Sequence, residues 1–434
     1  MNASAPIRTA ADPARPFEAG PAYSRYVLGV LFIVAVFALV DRQIFGMLIE
    51  PIKREFEVSD TWLGLASGLS FALFYALAGL PIARWADRGV RRSIIALGLF
   101  AWSALTLASG LVTSFAQLVL ARLAIGVGEA AGTPPAHALL SDYFPPARRA
   151  GALSVYTAGA SLGVFLAYLA GGWIQELWGW RGVFLCLGAP GVLLALVVRL
   201  SVREPPRGRF EAGPPRRVAT RAALRELLGL ASYRHLVAAF GLHSLAFTAA
   251  STWNPAFLAR IHGMGAGEIG TTLAFGSAAC MGLGILSAGR VIDRLAARDL
   301  RWTLWCPGLA TAATAPLTIA FLFAPSRAAA LACLAPSALL MGFGTPGLHA
   351  AAQELASPAT RATAAALNLL VLTLVGAGLG PTLVGALNDA LAGALGAEAI
   401  RWSLALAAAT AAWSGTHALL AARTLRADRK LGRA

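Results

Sequence analysis

The feature that most constrains this chain is a succession of continuous apolar runs, each about 20 residues long, which is the length a helix needs to cross a bilayer. Twelve spans are predicted, at 24–49, 61–85, 93–112, 115–140, 149–172, 181–200, 233–259, 267–291, 302–323, 328–352, 362–387 and 400–422. Barrel strands alternate in polarity and these runs do not, so strands are excluded. Composition agrees: 57% of the 434 residues are hydrophobic and 13% are charged, against about 25% charged in a soluble domain. Mean hydropathy is +0.66. The expected fold class is an all-α membrane protein.

The net charge of +15 is spread over loops and forms no single face, which argues against nucleic acid as a partner. The positive-inside rule accounts for it instead. Arg84, Arg88, Arg91 and Arg92 follow helix 2, and Arg290, Arg294, Arg298 and Arg301 follow helix 8. Residues 201–232 carry seven Arg, and the last twelve residues are basic. By contrast Glu50 to Asp60 is net acidic, and all the basic loops share one side if both termini are cytoplasmic. A multi-pass protein of a bacterial inner membrane is expected. Cys186, Cys280, Cys306 and Cys333 lie in apolar runs without CxxC spacing and are read as packing residues, so no metal site is expected.

The organisation follows. Residues 1–22 are read as a disordered cytoplasmic tail and 23–200 as an N-terminal six-helix bundle. Residues 201–232 are read as a cytoplasmic linker with an amphipathic helix, 233–424 as a second six-helix bundle and 425–434 as a basic tail. The bundles are repeats. Residues 132–153 align with 344–365 at an offset of 212, with ten of 22 positions identical, including Pro134/Pro346, His137/His349 and Arg149/Arg361. Asp87-Arg88 likewise matches Asp293-Arg294. Two parallel halves around a midplane site is one transporter plan.

The loop Ala83-Arg84-Trp85-Ala86-Asp87-Arg88-Gly89-Val90-Arg91-Arg92 resembles the signature loop of the major facilitator superfamily. Ala83 stands where that pattern has Gly, and Gly89 sits one place early. Asp41-Arg42, the run from Arg122 to Glu129, Pro134-Pro135, and Ser141 to Pro145 are similar to bacterial members of the spinster family. Trp180-Arg181 and Arg203 to Pro206 extend that resemblance. The resemblance implies the major facilitator fold, twelve transmembrane helices in two pseudo-symmetric halves. It also implies export of sphingosine phosphate or lysophospholipids, with protons as the coupling ion in bacterial members and no other cofactor.

Asp41, Arg42, Arg122 and Glu129 are the charged residues deep in the predicted spans. A charge at the bilayer centre costs about 2.5–3.5 kcal/mol on insertion scales, so such groups normally face a cavity or a partner. Asp41 and Arg122 lie roughly 13 and 12 Å from the same membrane face, which allows them to pair. Glu129 follows Arg122 by seven residues on the same helix face, roughly 10 Å deeper. Asp41 and Glu129 are expected to carry protons, with Arg122 as switching partner. Arg42, Arg122 and Glu129 are also expected at the substrate, together with His243, Phe247, Trp253, Asn254, Tyr156 and Asn368. At the repeat offset Arg122 becomes Leu334 and Glu129 becomes Met341, so the second half offers a largely apolar wall. That asymmetry suits an amphiphilic lipid. Two alternatives are a proton symporter of sugar acids or aromatic acids and a drug:proton antiporter.

A cytoplasmic gate is expected around Asp87, Arg88, Arg91 and Arg92, with Asp142, Arg148 and Arg149 beside them and Asp293, Arg294, Glu354 and Arg361 as counterparts. No Walker loop, nucleophile elbow or zinc spacing is present, so an enzyme is not expected. The partners expected are the lipid substrate and the bilayer, with the protein a monomer.

Overall fold

A computed structural model describes Phe17, Ala19 to Phe210, Ala219 to Ser357 and Ala359 to Leu431, so most of the predicted N-terminal tail and the middle of the linker lie outside the described residues. Among the described residues the regular structure is entirely helical. In chain order the helices are α1 (Pro21–Met47), α2 (Ile49–Phe56), α3 (Asp60–Ser67), α4 (Leu69–Ala86), α5 (Arg91–Ser109), α6 (Phe115–Glu129), α7 (Thr133–Tyr143) and α8 (Pro146–Ser201). The short linker helix α9 (Thr220–Gly229) follows. The second half holds α10 (Ala231–His262), α11 (Ala266–Leu273), α12 (Cys280–Ala296), α13 (Trp302–Phe323), α14 (Arg327–Leu355), α15 (Arg361–Val371), α16 (Gly380–Leu395) and α17 (Ala399–Leu431).

Ten stretches are long and apolar enough to cross a membrane, and two of these are double length, at 56 and 69 residues. Fifty-six helical residues would extend about 84 Å, far beyond a bilayer. Glycines in the left-handed region mark the reversals. Gly179 (φ 70°) turns the chain within α8, and Gly396 (φ 56°) turns it between α16 and α17. Twelve crossings result, in two six-helix halves, as the apolar pattern predicts.

Several crossings are interrupted where hydropathy shows an unbroken run. Crossing 2 breaks at Gly68 between α3 and α4, and crossing 4 breaks after Glu129 between α6 and α7. Crossings 8 and 11 each contain a π-helical segment, at Ala274–Ala279 and Leu372–Leu379. Such segments leave backbone groups outside the i→i−4 ladder and are often found at functional sites. In hydrocarbon they are tolerated where protein covers them. Gly68 sits directly against the second one, where a Cβ would lie 2.7 Å from the Gly378 carbonyl.

Among the described residues the halves are joined at one end only. All side-chain hydrogen bonds and ion pairs recorded between them lie toward the end opposite the chain termini. They include Tyr168 to the Ser251 carbonyl (2.9 Å), Arg260 to Asp60, and Asn388 to Asp60.

Candidate functional site

The four intramembrane charges come together in the first half. The α1 helix carries Asp41 and Arg42, and α6 carries Arg122 and, as its last residue, Glu129. Arg42 Nε donates to Glu129 Oε2 at 2.5 Å. Arg122 Nη1 lies 3.7 Å from Asp41 Oδ1 and donates to the Asp41 carbonyl at 3.4 Å. Thr106 Oγ1 on α5 donates to Asp41 Oδ2 at 2.6 Å. The predicted Asp41–Arg122 proximity is therefore present. Glu129, placed deeper than that pair by its spacing, takes Arg42 as its partner, a pairing the sequence did not single out. Seven residues separate Arg122 from Glu129 by about 10 Å along the helix axis, beyond ion-pair reach.

Aromatic rings complete the site. The Phe71 ring lies between the two guanidinium groups, with its centroid 5.3 Å from the Arg42 carbon and 5.5 Å from that of Arg122. Arg42 also sits over Tyr75 at 4.6 Å, and Arg122 over Phe45 at 5.2 Å. Ring faces attract cations most where water is excluded. Phe45, Phe71, Tyr75 and Thr106 were not singled out from the sequence, because apolar spans are full of aromatic and hydroxyl residues that only pack.

Exposure divides the four charges. The Glu129 side chain is 0% exposed and that of Arg122 1%, whereas Arg42 keeps 30%. Among the described residues, Glu129 Oε1, Asp41 Oδ1 and Arg122 Nε are buried without a hydrogen-bond partner. A buried ion pair held only for stability would be expected to satisfy its atoms, because unmade bonds in low dielectric are costly.

The second half presents the apolar counterpart. A cavity of about 60 Å³ inside it is lined by Phe247 and Asn254 of α10 and by Leu334 and Met341 of α14, the repeat positions of Arg122 and Glu129. The remaining substrate candidates are dispersed. His243 contacts Thr345 at 3.2 Å, and Asn368 Oδ1 accepts from Tyr233 at 3.4 Å. Tyr156 is buried in the first half, edge-on to His137. Trp253 is fully buried, and its indole donates to the Pro381 carbonyl at 2.9 Å near the closed end, away from the cavity, so it is not placed to meet a ligand here.

The expected gate residues do not bridge the halves in this structure. Asp87, Arg88, Arg148, Asp293, Arg294, Glu354 and Arg361 are exposed. Arg91 is buried, donating to Asp142 at 2.5 Å and to Glu204 at 2.7 Å within the first half. The Arg92 backbone N–H also donates to Glu204, and Arg149 donates to the Ser141 carbonyl. Ion pairs across the halves occur instead at the opposite end. Asp60 and Glu50 of the first half accept from Arg260 of the second at 2.9 and 2.7 Å, and Lys53 adds a bond to Asp60 from within the first half at 2.5 Å. In the sequence Glu50 to Asp60 reads only as a net acidic loop and Arg260 is not singled out, so this set is missed.

Comparisons with known proteins agree with this architecture. The Major Facilitator Superfamily model matches residues 31–381. An MFS-type efflux pump of Mycolicibacterium smegmatis is 37% identical over 390 residues, 89% of this chain and 90% of that protein. A D-galactonate transporter of Escherichia coli O6:H1 is 32% identical over 191 residues, 44% of each chain. A bacterial homolog of the human lysosomal transporter Spinster, solved in an inward-facing and unoccupied conformation, superposes with a TM-score of 0.88. It is 29% identical, over 94% of this chain and 99% of its own. With a family model over most of its length and a full-length relative, the chain belongs to the Major Facilitator Superfamily and is a membrane transporter, not an enzyme.

Proposed function

We propose that the protein exports an amphiphilic lipid with a zwitterionic head, of the lysophospholipid or sphingosine phosphate kind, in exchange for protons by alternating access. The observation that carries this reading is the Arg42–Glu129 pair: one partner is fully buried and the other is partly exposed. A head phosphate would draw Arg42 away from Glu129. A head ammonium would then compete with a proton for the freed carboxylate, and exchange requires that competition. Asp41 and Arg122 form the second pair, through which the first is tuned. The uncharged cavity at Leu334 and Met341 offers a largely apolar wall for an acyl chain. The name of the Mycolicibacterium relative supports outward transport.

A second reading is proton symport of a small organic anion, favoured by the similarity to the galactonate transporter. An anion that takes Arg42 without offering a cation would promote protonation of Glu129, so anion and proton would bind together. In either case we place the protein in a bacterial inner membrane, as a monomer with both termini and the 201–232 linker cytoplasmic.

Proteoliposomes under an imposed pH gradient test the choice. Lysophosphatidylcholine movement driven by the gradient, and lost in Glu129→Gln, is the expected result. Movement of galactonate and not of lysolipid would transfer the reading to symport.

A further inference from the structure

The end of the molecule opposite the termini is held by two contacts of the same design. Glu176 stands near the end of the first α8 crossing, and its Oε2 accepts from the backbone N–H of Gly267 at 2.6 Å. Gly267 is the second residue of α11 in the other half. Asp389 stands near the end of α16, and its carboxylate accepts from the backbone N–H groups of Asp60 (3.1 Å) and Thr61 (2.7 Å) and from the Thr61 hydroxyl (2.5 Å). Thr61 is the second residue of α3. In both cases a carboxylate from one half caps the first turn of a helix in the other. The first N–H groups of a helix lack intrahelical acceptors, and the helix dipole makes that terminus positive.

The likeness extends to the helix crossing itself. Each acid follows a glycine by four residues, Gly172 before Glu176 and Gly385 before Asp389, which puts glycine and acid on one helix face. A Cβ at Gly172 would sit 2.5 Å from the Ala266 carbonyl, and one at Gly385 would sit 2.2 Å from the Asp60 carbonyl. The two glycine–acid pairs are 213 residues apart, within one residue of the internal repeat. The capped helices correspond too: a glycine follows the capped second residue by three positions in both, at Gly64 and Gly270. The devices are thus repeat copies that close the two seams between the halves, one at crossings 5 and 8 and the other at crossings 2 and 11.

We infer that Glu176 and Asp389 are a pair of latches that hold this end of the transporter closed, each acting as a removable helix cap. Opening this end would part Glu176 from α11 and Asp389 from α3 and return the orphan N–H groups to water. The seam at crossings 2 and 11 is the stronger, because Arg260 and Asn388 of the second half also converge on Asp60. The inference rests on the fold and holds whichever substrate is carried.

The test measures the distance across this end directly. Spin labels at Leu111→Cys and Ala397→Cys lie on exposed positions in opposite halves. The background has Cys186, Cys280, Cys306 and Cys333 replaced by Ser. Distance distributions are compared for the unaltered latches, Glu176→Gln, Asp389→Asn and the double variant, with thermal melting as the check on folding. Loss of one charged cap should raise the ratio of open to closed distances roughly tenfold, and the double variant should raise it further. An unchanged ratio in a folded double variant overturns the inference. If the double variant does not fold, Glu176→Asp and Thr61→Val, which perturb one bond each, are measured in the same way. No shift in either would overturn it equally.

Discussion

The two halves share a chain direction, a repeat in sequence and the paired caps at the closed end, yet they differ sharply in their interiors. The first half buries Asp41, Arg122 and Glu129. The second has Leu334 and Met341 at the matching places of α14, lining an uncharged cavity. What the halves have in common is the geometry of movement: glycine crossings and carboxylate caps at the seams. What they do not share is the titratable machinery. Rocking two bodies against each other needs matched seams on both, whereas coupling that motion to a proton needs only one carboxylate whose partner changes.

The largest effect expected from that comparison is on the first half. Glu129→Gln keeps the shape of the side chain but removes the exchangeable proton and leaves Arg42 without its counter-ion. Gradient-driven transport in proteoliposomes should fall to background, and Asp41→Asn should do the same, while circular dichroism shows a folded helical protein. Transport that survives in either variant removes that residue from the coupling step.

The comparison can also be broken from the other side. Met341→Glu installs an acid in the second half where no arginine waits for it. An unpaired charge at that depth should cost roughly 2.5–3.5 kcal/mol, read as a lower melting temperature in detergent. Adding Leu334→Arg should recover little, since the first half shows that residues at this spacing do not pair with each other. A double variant as stable as wild type would mean that the second half tolerates charge without a partner from another helix, and the contrast between the halves would lose its force.

The outline of this molecule was legible because the bilayer imposes a length on every crossing. Twelve apolar runs, the repeat at Pro134/Pro346, and the pairing depth of Asp41 and Arg122 all follow from residue spacing. The break after Glu129 did not follow, since hydropathy averages over a turn and cannot see a lost backbone bond. Gly132-Thr133-Pro134-Pro135 was the available signal, because a proline has no N–H to continue the ladder. The Arg42–Glu129 pair was hidden for another reason. It joins α1 and α6, whose rotations about their axes are set by packing on other helices, as where Gly126 of α6 meets the Phe71 carbonyl of α4. The closed end was hidden because Asp60 and Arg260 read as ordinary charges at the membrane surface.

A smaller contrast separates the halves at the end that carries the termini. The first half ties its loop there with buried Arg91, whose side chain is 3% exposed and bonds Asp142 and Glu204. Arg91→Ala strands both acids and should cost about 3–5 kcal/mol, read by thermal melting.

The second half uses half-buried Asp299, which accepts from Arg301 and Arg426. Hydrogen bonds from Arg301 hold its carboxyl down to about 2. A lowered folded-state pKa contributes stability that is present above the ordinary aspartate range, near 4, and is lost as pH falls through about 2. Between neutral pH and pH 5 the contact should therefore be unaffected by acid. Because its partners Arg301 and Arg426 lie at the surface, Asp299→Asn should leave the melting temperature nearly unchanged. If Asp299→Asn proved as damaging as Arg91→Ala, the tail helix α17 would be anchored through this surface pair, and the second half would not be the one held mainly by apolar packing.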